Sequence, residues 1–455
     1  MLRPGHAVAL CALALLTLGV IMVSSAGMSV KPHEAATFES IVLSRNALNM
    51  LLAVSAMAAC AMLPIRRLVP RSVRSADGPS SVASPVLVAS EARWLSGRWI
   101  VDWVREMVRL WPLWIGVFVL LCAIATVYVP GISRPRNGSH RWITLHAPGL
   151  ESVQPSEIAK WGMVLLIAWY GARYAKRLRS FWFGLVPGMM AVGVVAAAIV
   201  IEDLGTGVLV AAAATFVLLA AGGRVWQLAV LGPVPIAGIV IAIIKSPYRM
   251  ARIQAFLNPY LDPLGKGFHE IQSMQAVAHG EVVGRGLGHG ISKFGFLPED
   301  TTDFLFAIVC EELGVFGAAL VLALFAMLVW ALWLIVRRER WMVLKLLGLG
   351  VMATVGIQAV INLTVVTGLG PTKGIALPLM SSGGTGWILT AAALGLVIAT
   401  DRTQAQAEQF EKEAIDHAAK QRDKRLARAT AVAVLTPEAA SPESHEAHPT
   451  SLFPA

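Results

Sequence analysis

Along most of the chain apolar residues follow one another without a polar face, in blocks of about 20, the length a helix needs to cross a bilayer. Ten such blocks can be placed, at 7–26, 43–64, 111–130, 158–176, 181–201, 205–222, 226–245, 304–336, 341–367 and 376–400. The pattern predicts an all-α polytopic membrane protein of about ten transmembrane helices. Only one ordered stretch breaks it at length. Residues 245–317 are polar and crowded with Gly, Pro and charge, and most of them form a large extracytoplasmic loop between helices seven and eight. The first block also has features of a signal peptide, with a positive charge in Met1–Pro4 and small residues at Ser24-Ser25-Ala26. Retained as an anchor, it makes an even count with the other nine.

Charge then orients the spans. The connection from Arg66 to Arg109 holds eight Arg and no Lys, Arg173 to Arg179 is strongly basic, and Arg337-Arg338-Glu339-Arg340 closes the eighth span. Basic connections face the cytoplasm. Both termini are then cytoplasmic, and the chain divides into 1–64 (two spans), 65–110 (basic inner loop), 111–245 (spans three to seven), 246–303 (large outer loop), 304–400 (spans eight to ten) and 401–455. The last segment begins as a charged helix, Gln404 to Arg428, and ends in a Pro, Ala, Ser and Glu stretch expected to be disordered.

Composition agrees with the pattern. The 455 residues are 56% hydrophobic and 15% charged, with mean hydropathy +0.65, far from an ordinary soluble domain. A net charge of +10 would suggest nucleic acid in a soluble protein. Here the basic residues sit in short tracts between spans, with no basic face interleaved with aromatics, so nucleic acid is not expected as a partner. Cys11, Cys60, Cys122 and Cys310 lie inside apolar runs without CxxC spacing, which points to neither disulfides nor a metal site. No repeat of 20–50 residues and no transporter-type inverted repeat is visible.

The residues that can carry chemistry gather in the outer connections. Arg141 and Trp142 suit a membrane boundary as interfacial anchors. Pro155 and Glu157 suit a helix start, and Lys160, one turn into a span, must snorkel outward or find an acid. Glu202 and Asp203 either cap the next helix or bind a cation or sugar. Arg249 and Arg252 open the long outer stretch, and Gln272 and Ser273 follow on a short helix. Gly284, Gly286, Gly288 and Gly290 fit no dinucleotide motif, since no strand precedes them, and are expected to let backbone lie close to a bulky ligand or to the bilayer surface.

The strongest local signal is Leu297 to Phe306, where Glu299, Asp300 and Asp303 gather at the head of an apolar helix. Such acids cap helices, at about 0.3–1 kcal/mol each. Partly desolvated at a membrane surface, one of them is also suited to act as a general base. Glu311 lies ~12 Å deeper along a helix that continues from Asp303, and an acid inside a span needs a reason to be there. In the last outer connection, Thr367 to Trp387, Pro371, Pro378 and Gly383-Gly384 predict a broken helix lining a cavity, with Lys373 placed to meet an anionic ligand.

Taken together, RW-x11-QPSEIAK at 141–160, DLGTG at 203–207, RI-x2-FLNP-x2-DPLGKG at 252–267, QS at 272–273, LPEDTTDF at 297–304, EELG at 311–314 and NLTVVTGLGPTKGIALPLMSSGG at 362–384 resemble the SEDS family (shape, elongation, division and sporulation). These are polytopic glycosyltransferases that polymerise bacterial peptidoglycan from lipid II. The resemblance covers roughly 40–400, and PTKG at 371–374 with ISKFGFLPE at 291–299 is closer to the division branch than to the elongation branch. It implies Asp303 as the catalytic carboxylate. Substrate contacts are expected from Arg141, Trp142, Lys160, Arg249, Arg252, Gln272, Ser273, Glu299, Glu311, Lys373 and Ser382. Three positions depart from the family pattern: Thr301 stands where a His is usual, Ser381 to Gly386 where SYGGSS is usual, and His279-Gly280 where Gly-Gly is common.

The implied reaction transfers the growing glycan to lipid II, inverts the anomeric carbon and releases undecaprenyl pyrophosphate. A divalent cation, magnesium or manganese, would suit the leaving group, with its protein ligands unassigned and no organic cofactor. Expected partners are lipid II, the nascent glycan, a class B penicillin-binding transpeptidase and other division proteins, in the bacterial cytoplasmic membrane at the division site. A lipid II flippase and a non-enzymatic division scaffold are the competing readings.

Overall fold

The computed structural model describes residues 3–27, 44–69, 99–129, 133, 141–147, 150–372 and 374–435. The helices in chain order are α1 (Pro4–Gly27), α2 (Arg45–Met62), α3 (Trp99–Arg109), α4 (Trp111–Ala125), α5 (Pro155–Tyr174), α6 (Val186–Glu202), α7 (Leu204–Ala220), α8 (Val225–Leu231), α9 (Pro233–Ile244), α10 (Pro247–Leu257), α11 (Phe268–His279), α12 (Leu305–Arg338), α13 (Met342–Val366) and α14 (Gly384–Leu435). The protein is a helical, multi-pass membrane protein. Among the described residues eight helical segments are long and apolar enough to cross a membrane. Of the ten expected blocks, the other two are also helical: α5 carries Glu157, Lys160 and Arg173, and α7 has only 17 residues.

Two units divide the chain, Met1–Thr403 and Gln404–Ala455. In the second, residues to Leu435 are helical, as the charged stretch from Gln404 predicts, and nearly all side chains with a described exposure are open to solvent. The segment expected to be disordered lies outside the described residues.

In the first unit α13 is the hub, packed on α5, α7 and α12, while α6 lies against α7. Its turns bury Leu346, Val351, Val355 and Ala359, so the inner helices are apolar on every side, as buried spans must be. Against α12 lies α1, which buries Leu15, Leu16 and Met22 and is an integral part of the bundle. By contrast α8 and α9 turn almost all of their surface outward, and Val234, Ile236 and Ile244 are more than half exposed.

The helical bundle carries one small addition among the described residues: β1 (Ile143–Ala147) and β2 (Leu150–Val153) form an antiparallel two-stranded hairpin with Ile143 opposite Val153. The β-branched Ile143 and Thr144 and the Pro148-Gly149 pair in the sequence are its signals. The last span begins at Gly384 rather than 376, because residues 376–383 form turns and extended backbone ahead of it.

Three of the four clustered glycines have a role inside the fold that their spacing does not announce. Gly284, Gly286 and Gly288 have φ of 81°, 93° and 82° and wrap a break in α12 at Gly314, itself at φ 61°. There the amides of Arg285 and Gly286 donate to the carbonyls of Glu311 and Glu312 at 3.0 and 2.9 Å. A helix broken in this way frees carbonyls, and the glycine loop satisfies them. A Cβ on Gly284 would stand 2.3 Å from the Glu312 carbonyl oxygen, which only glycine avoids.

Candidate functional site

A cavity of about 1040 Å³ opens where the hairpin region, the α6–α7 turn, α10, the turn before α12 and the 371–383 loop converge. Arg141, Trp142, Asp203, Arg249, Arg252, Glu299, Asp303 and Ser382 are among its lining residues. Seven of these eight are sequence candidates for catalysis or substrate contact; Asp203 was raised as a helix cap or ligand.

Asp303 sits two residues ahead of α12, in a turn that starts at Glu299. The amides of Thr302 and Phe304 donate to the Glu299 carbonyl, and the Thr302 hydroxyl donates to the Glu299 carboxylate at 2.8 Å. Glu299 holds φ 56°, and Leu379 across the cavity holds φ 63°. Left-handed backbone in non-glycine residues is strained and collects at functional sites. The 371–383 loop closes on this turn: the Ser382 amide donates to the Thr301 carbonyl at 2.9 Å, and Gly374 packs against the Asp303 carboxylate.

Two amides on α13 hold both pieces in place. Asn362 donates to the carbonyls of Asp303 and Ile375, and one turn earlier Gln358 donates to that of Ala376, each at 2.8 Å. Gln358 also accepts from Lys160 at 3.0 Å. Lys160, 1% exposed, pairs with Glu157 at 2.7 Å, so the charge inside the span has found its acid instead of snorkelling. From the loop side, Arg252 donates to the Thr372 carbonyl at 3.1 Å, and the Thr372 amide donates to Glu270 at 3.4 Å.

Electrostatics sets Asp303 apart. Burial, then the neighbouring charges of Glu299 and Asp203, push its carboxyl up to about 7, against the pull of Arg252 and Arg141. Burial also raises Asp300 to about 6. His269, stacked on Phe304 with ring centroids 6.2 Å apart, is held below its ordinary value by burial and by Arg252. One wall of the cavity thus carries a carboxyl pushed up to about 7, with the guanidinium groups of Arg141, Arg249 and Arg252 lining the same space.

Some expected contacts lie elsewhere. Glu311 does not line the cavity: it is fully buried and accepts from the amides of Ile291 and Ser292 at 2.9 and 3.2 Å. Its neighbour Glu312, equally buried, pairs with Lys293 at 2.9 Å and accepts from Ser25 and the Gly288 amide. Glu311 pins the outer loop to α12, and Glu312 ties it to α1 as well. Glu311 stands in the unbroken turns ahead of Gly314, and its carboxylate faces the folded-back 291–292 backbone instead of the cavity. Ser273 donates to the Val366 carbonyl at 2.8 Å and is buried, Gln272 is half-buried on α11, and neither lines the cavity. Lys373 lies outside the described residues.

Arg141 and Trp142 both line the cavity, and Arg141 donates to the Glu202 carbonyl at 2.9 Å and stands 4.0 Å from Asp203. Asp203 in turn caps α7 through the amide and hydroxyl of Thr206, at 3.0 and 2.9 Å. Sequence reasoning missed Gln358, Asn362 and His269. The available signal was a pair of amides spaced i, i+4 inside an otherwise apolar span.

Among the described residues no three Asp, Glu, His or Cys groups come close enough to hold a metal ion. Asp303 and Glu299 both line the cavity, and such a pair of carboxylates would hold magnesium or manganese together with phosphate oxygens of a bound substrate.

Residues 92–406 match the family model for the FtsW, RodA and SpoVE cell cycle proteins, a range that includes every cavity residue. Stage V sporulation protein E of Bacillus subtilis is 38% identical over 298 residues, 64% of this chain and 80% of that protein. An Alkalilimnicola ehrlichii protein named "Probable peptidoglycan glycosyltransferase FtsW" is 33% identical over 398 residues, 86% of this chain and 88% of its own. Among solved structures, the rod shape determining protein RodA of Thermus thermophilus shares 21% identity with TM-score 0.53, covering 87% of this chain and 95% of that one. A chain from a structure titled "Structural coordination of polymerization and crosslinking by a peptidoglycan synthase complex" shares 24% identity with TM-score 0.59, covering 87% and 96%. These two likenesses concern the fold.

Proposed function

The chain belongs to the FtsW/RodA/SpoVE cell cycle family, the SEDS proteins, and from that premise we propose that it is a peptidoglycan glycosyltransferase of the FtsW kind. In this reading it transfers the growing glycan to lipid II during division and releases undecaprenyl pyrophosphate. The observation that carries it is Asp303, on the wall of the large cavity with its carboxyl near pH 7.

The reaction joins the 4-hydroxyl of a GlcNAc to C1 of a MurNAc whose leaving group is the lipid pyrophosphate. A sugar hydroxyl is a weak nucleophile at neutral pH, so it needs a base within hydrogen-bond reach. Asp303 takes that proton as the C1–oxygen bond to the pyrophosphate breaks. A base with its pKa near the working pH balances availability against driving force, which is what burial of Asp303 achieves. Direct displacement inverts C1, and no second catalytic carboxylate is demanded.

Charge on the departing pyrophosphate falls to Arg252 and Arg141, both fixed by backbone carbonyls and facing the same space. Magnesium or manganese arriving with the pyrophosphate would add to this neutralisation, and no step here depends on it. A cavity of this volume has room for the sugars of lipid II beside Arg141, Arg252, Glu299 and Asp303, and Ile201, Leu204, Ile243 and Ile253 give it an apolar side as well. A single-span class B penicillin-binding transpeptidase, which would crosslink the product, is the partner this reading assigns.

The purified protein, supplied with fluorescent lipid II, should produce a ladder of glycan chains and one lipid pyrophosphate per bond formed. Movement of lipid II across a vesicle without any ladder would overturn the assignment in favour of transport.

A further inference from the structure

The basic connection before the third span ends in a helix that the reaction does not use. On α3 successive residues turn by about 100°, which places Ile100, Val101, Val104 and Val108 on one stripe and Arg105, Glu106 and Arg109 on the other side. The apolar stripe faces away from the protein: Ile100, Val101, Val104 and Val108 are 55%, 58%, 49% and 70% exposed. Trp103 and Met107, next around the helix, are half-buried against the bundle, and Glu106 pairs with Arg177 beyond the end of α5. Arg105 and Arg109 are exposed beside the valines. The helix is therefore tethered by its polar edge and carries a bare apolar face bordered by arginines.

Its depth is fixed by the chain. Only Leu110 separates α3 from α4, whose spanning segment runs from Trp111 to Tyr128. At the other end of that span the Tyr128 hydroxyl donates to Glu202, a residue of the cavity wall. So α3 lies at the membrane boundary opposite the Asp303 cavity. A helix there with valines outward and arginines along the border matches the surface of a leaflet, acyl chains below and phosphates above. A soluble partner would need the valines stripped from lipid at the mouth of a span.

We propose that α3 lies in the plane of the membrane and binds anionic phospholipid, with Ile100, Val101, Val104 and Val108 among the acyl chains and Arg105 and Arg109 on headgroup phosphates. Arginine near an anionic surface adds attraction that zwitterionic lipid does not supply. The helix thereby ties the basic face of the bundle to the lipid composition of the leaflet.

Backbone hydrogen exchange of the full-length protein in nanodiscs tests this. Amides of residues 99–109 should exchange about 10–30-fold more slowly with phosphatidylglycerol present than in phosphatidylcholine alone, from two arginines each adding attraction to the anionic surface. Arg105→Gln with Arg109→Gln should abolish that difference while the spans stay protected. Val104→Asp with Val108→Asp should remove protection in both lipids. Equal exchange in the two lipids, protection that survives the valine changes, or protection that appears only when a second protein is added would overturn the proposal.

Discussion

The side-chain amide of Asn362 donates to two backbone carbonyls at once, those of Asp303 and Ile375, each at 2.8 Å. One residue of α13 thereby fixes the separation between the turn that carries the carboxylate and the loop that faces it. Asn362→Leu should leave both carbonyls without that partner, destabilising the fold by about 1–3 kcal/mol. Glycan synthesis should fall by up to about 100-fold through misplacement of Asp303. Thermal unfolding in nanodiscs and single-turnover rates measure the two effects separately.

Gly374 presses on the reacting group itself. A Cβ there would stand 2.9 Å from the Asp303 carboxylate oxygen, closer than such contacts allow. Gly374→Ala should therefore lower the rate with little change in melting temperature, because the displaced atom is the end of a side chain. If the variant keeps the wild-type rate, the carboxylate does not need its present position.

The pH dependence has a definite sign. A base must be ionised, so with Asp303 near 7 the rate should rise with pH through about 7 and level off above it. Stability should move the other way. The folded pKa lies above the unfolded value of 3.8, so the contribution of this group is fully present below about pH 4 and is lost as pH rises through about 7. Asp303→Asn should thus raise the melting temperature at pH 8 and leave it nearly unchanged at pH 4.

Beneath the outer loop, the fully buried pair Lys293 and Glu312 has a different logic. Lys293→Met would strand a buried carboxylate and should destabilise by about 3–5 kcal/mol. Adding Glu312→Gln restores neutrality and keeps an acceptor for Ser25 and the Gly288 amide, so part of the loss should return. Melting temperatures of the single and double variants decide this. Identical values would mean that the stranded carboxylate is not the source of the loss in Lys293→Met.

The spans were legible because lipid demands apolar blocks of fixed length, and that demand is written in composition. The cluster Glu299, Asp300 and Asp303 was legible for a related reason: carboxylates at the mouth of a span are expensive unless used. The part that Gly284, Gly286 and Gly288 play at the break at Gly314 was not legible, because no local pattern announces which carbonyls a distant loop will satisfy. Glu311 was assigned to the substrate because nothing local shows that the loop at 291–292 folds back to take up its carboxylate. The hairpin at Ile143–Val153 went unseen among charged and glycine-rich neighbours. Gln358 and Asn362 stood in plain view as polar residues inside a span, yet their targets, Ala376, Ile375 and Asp303, are set by packing alone.

The most direct measurement compares polymerisation of fluorescent lipid II by the wild type, Asp303→Asn and Asp303→Glu across pH 5 to 9. Asp303→Asn should give no glycan ladder at any pH, and Asp303→Glu a weak ladder that still titrates. A ladder from Asp303→Asn at the wild-type rate would contradict the assignment of Asp303 as the base.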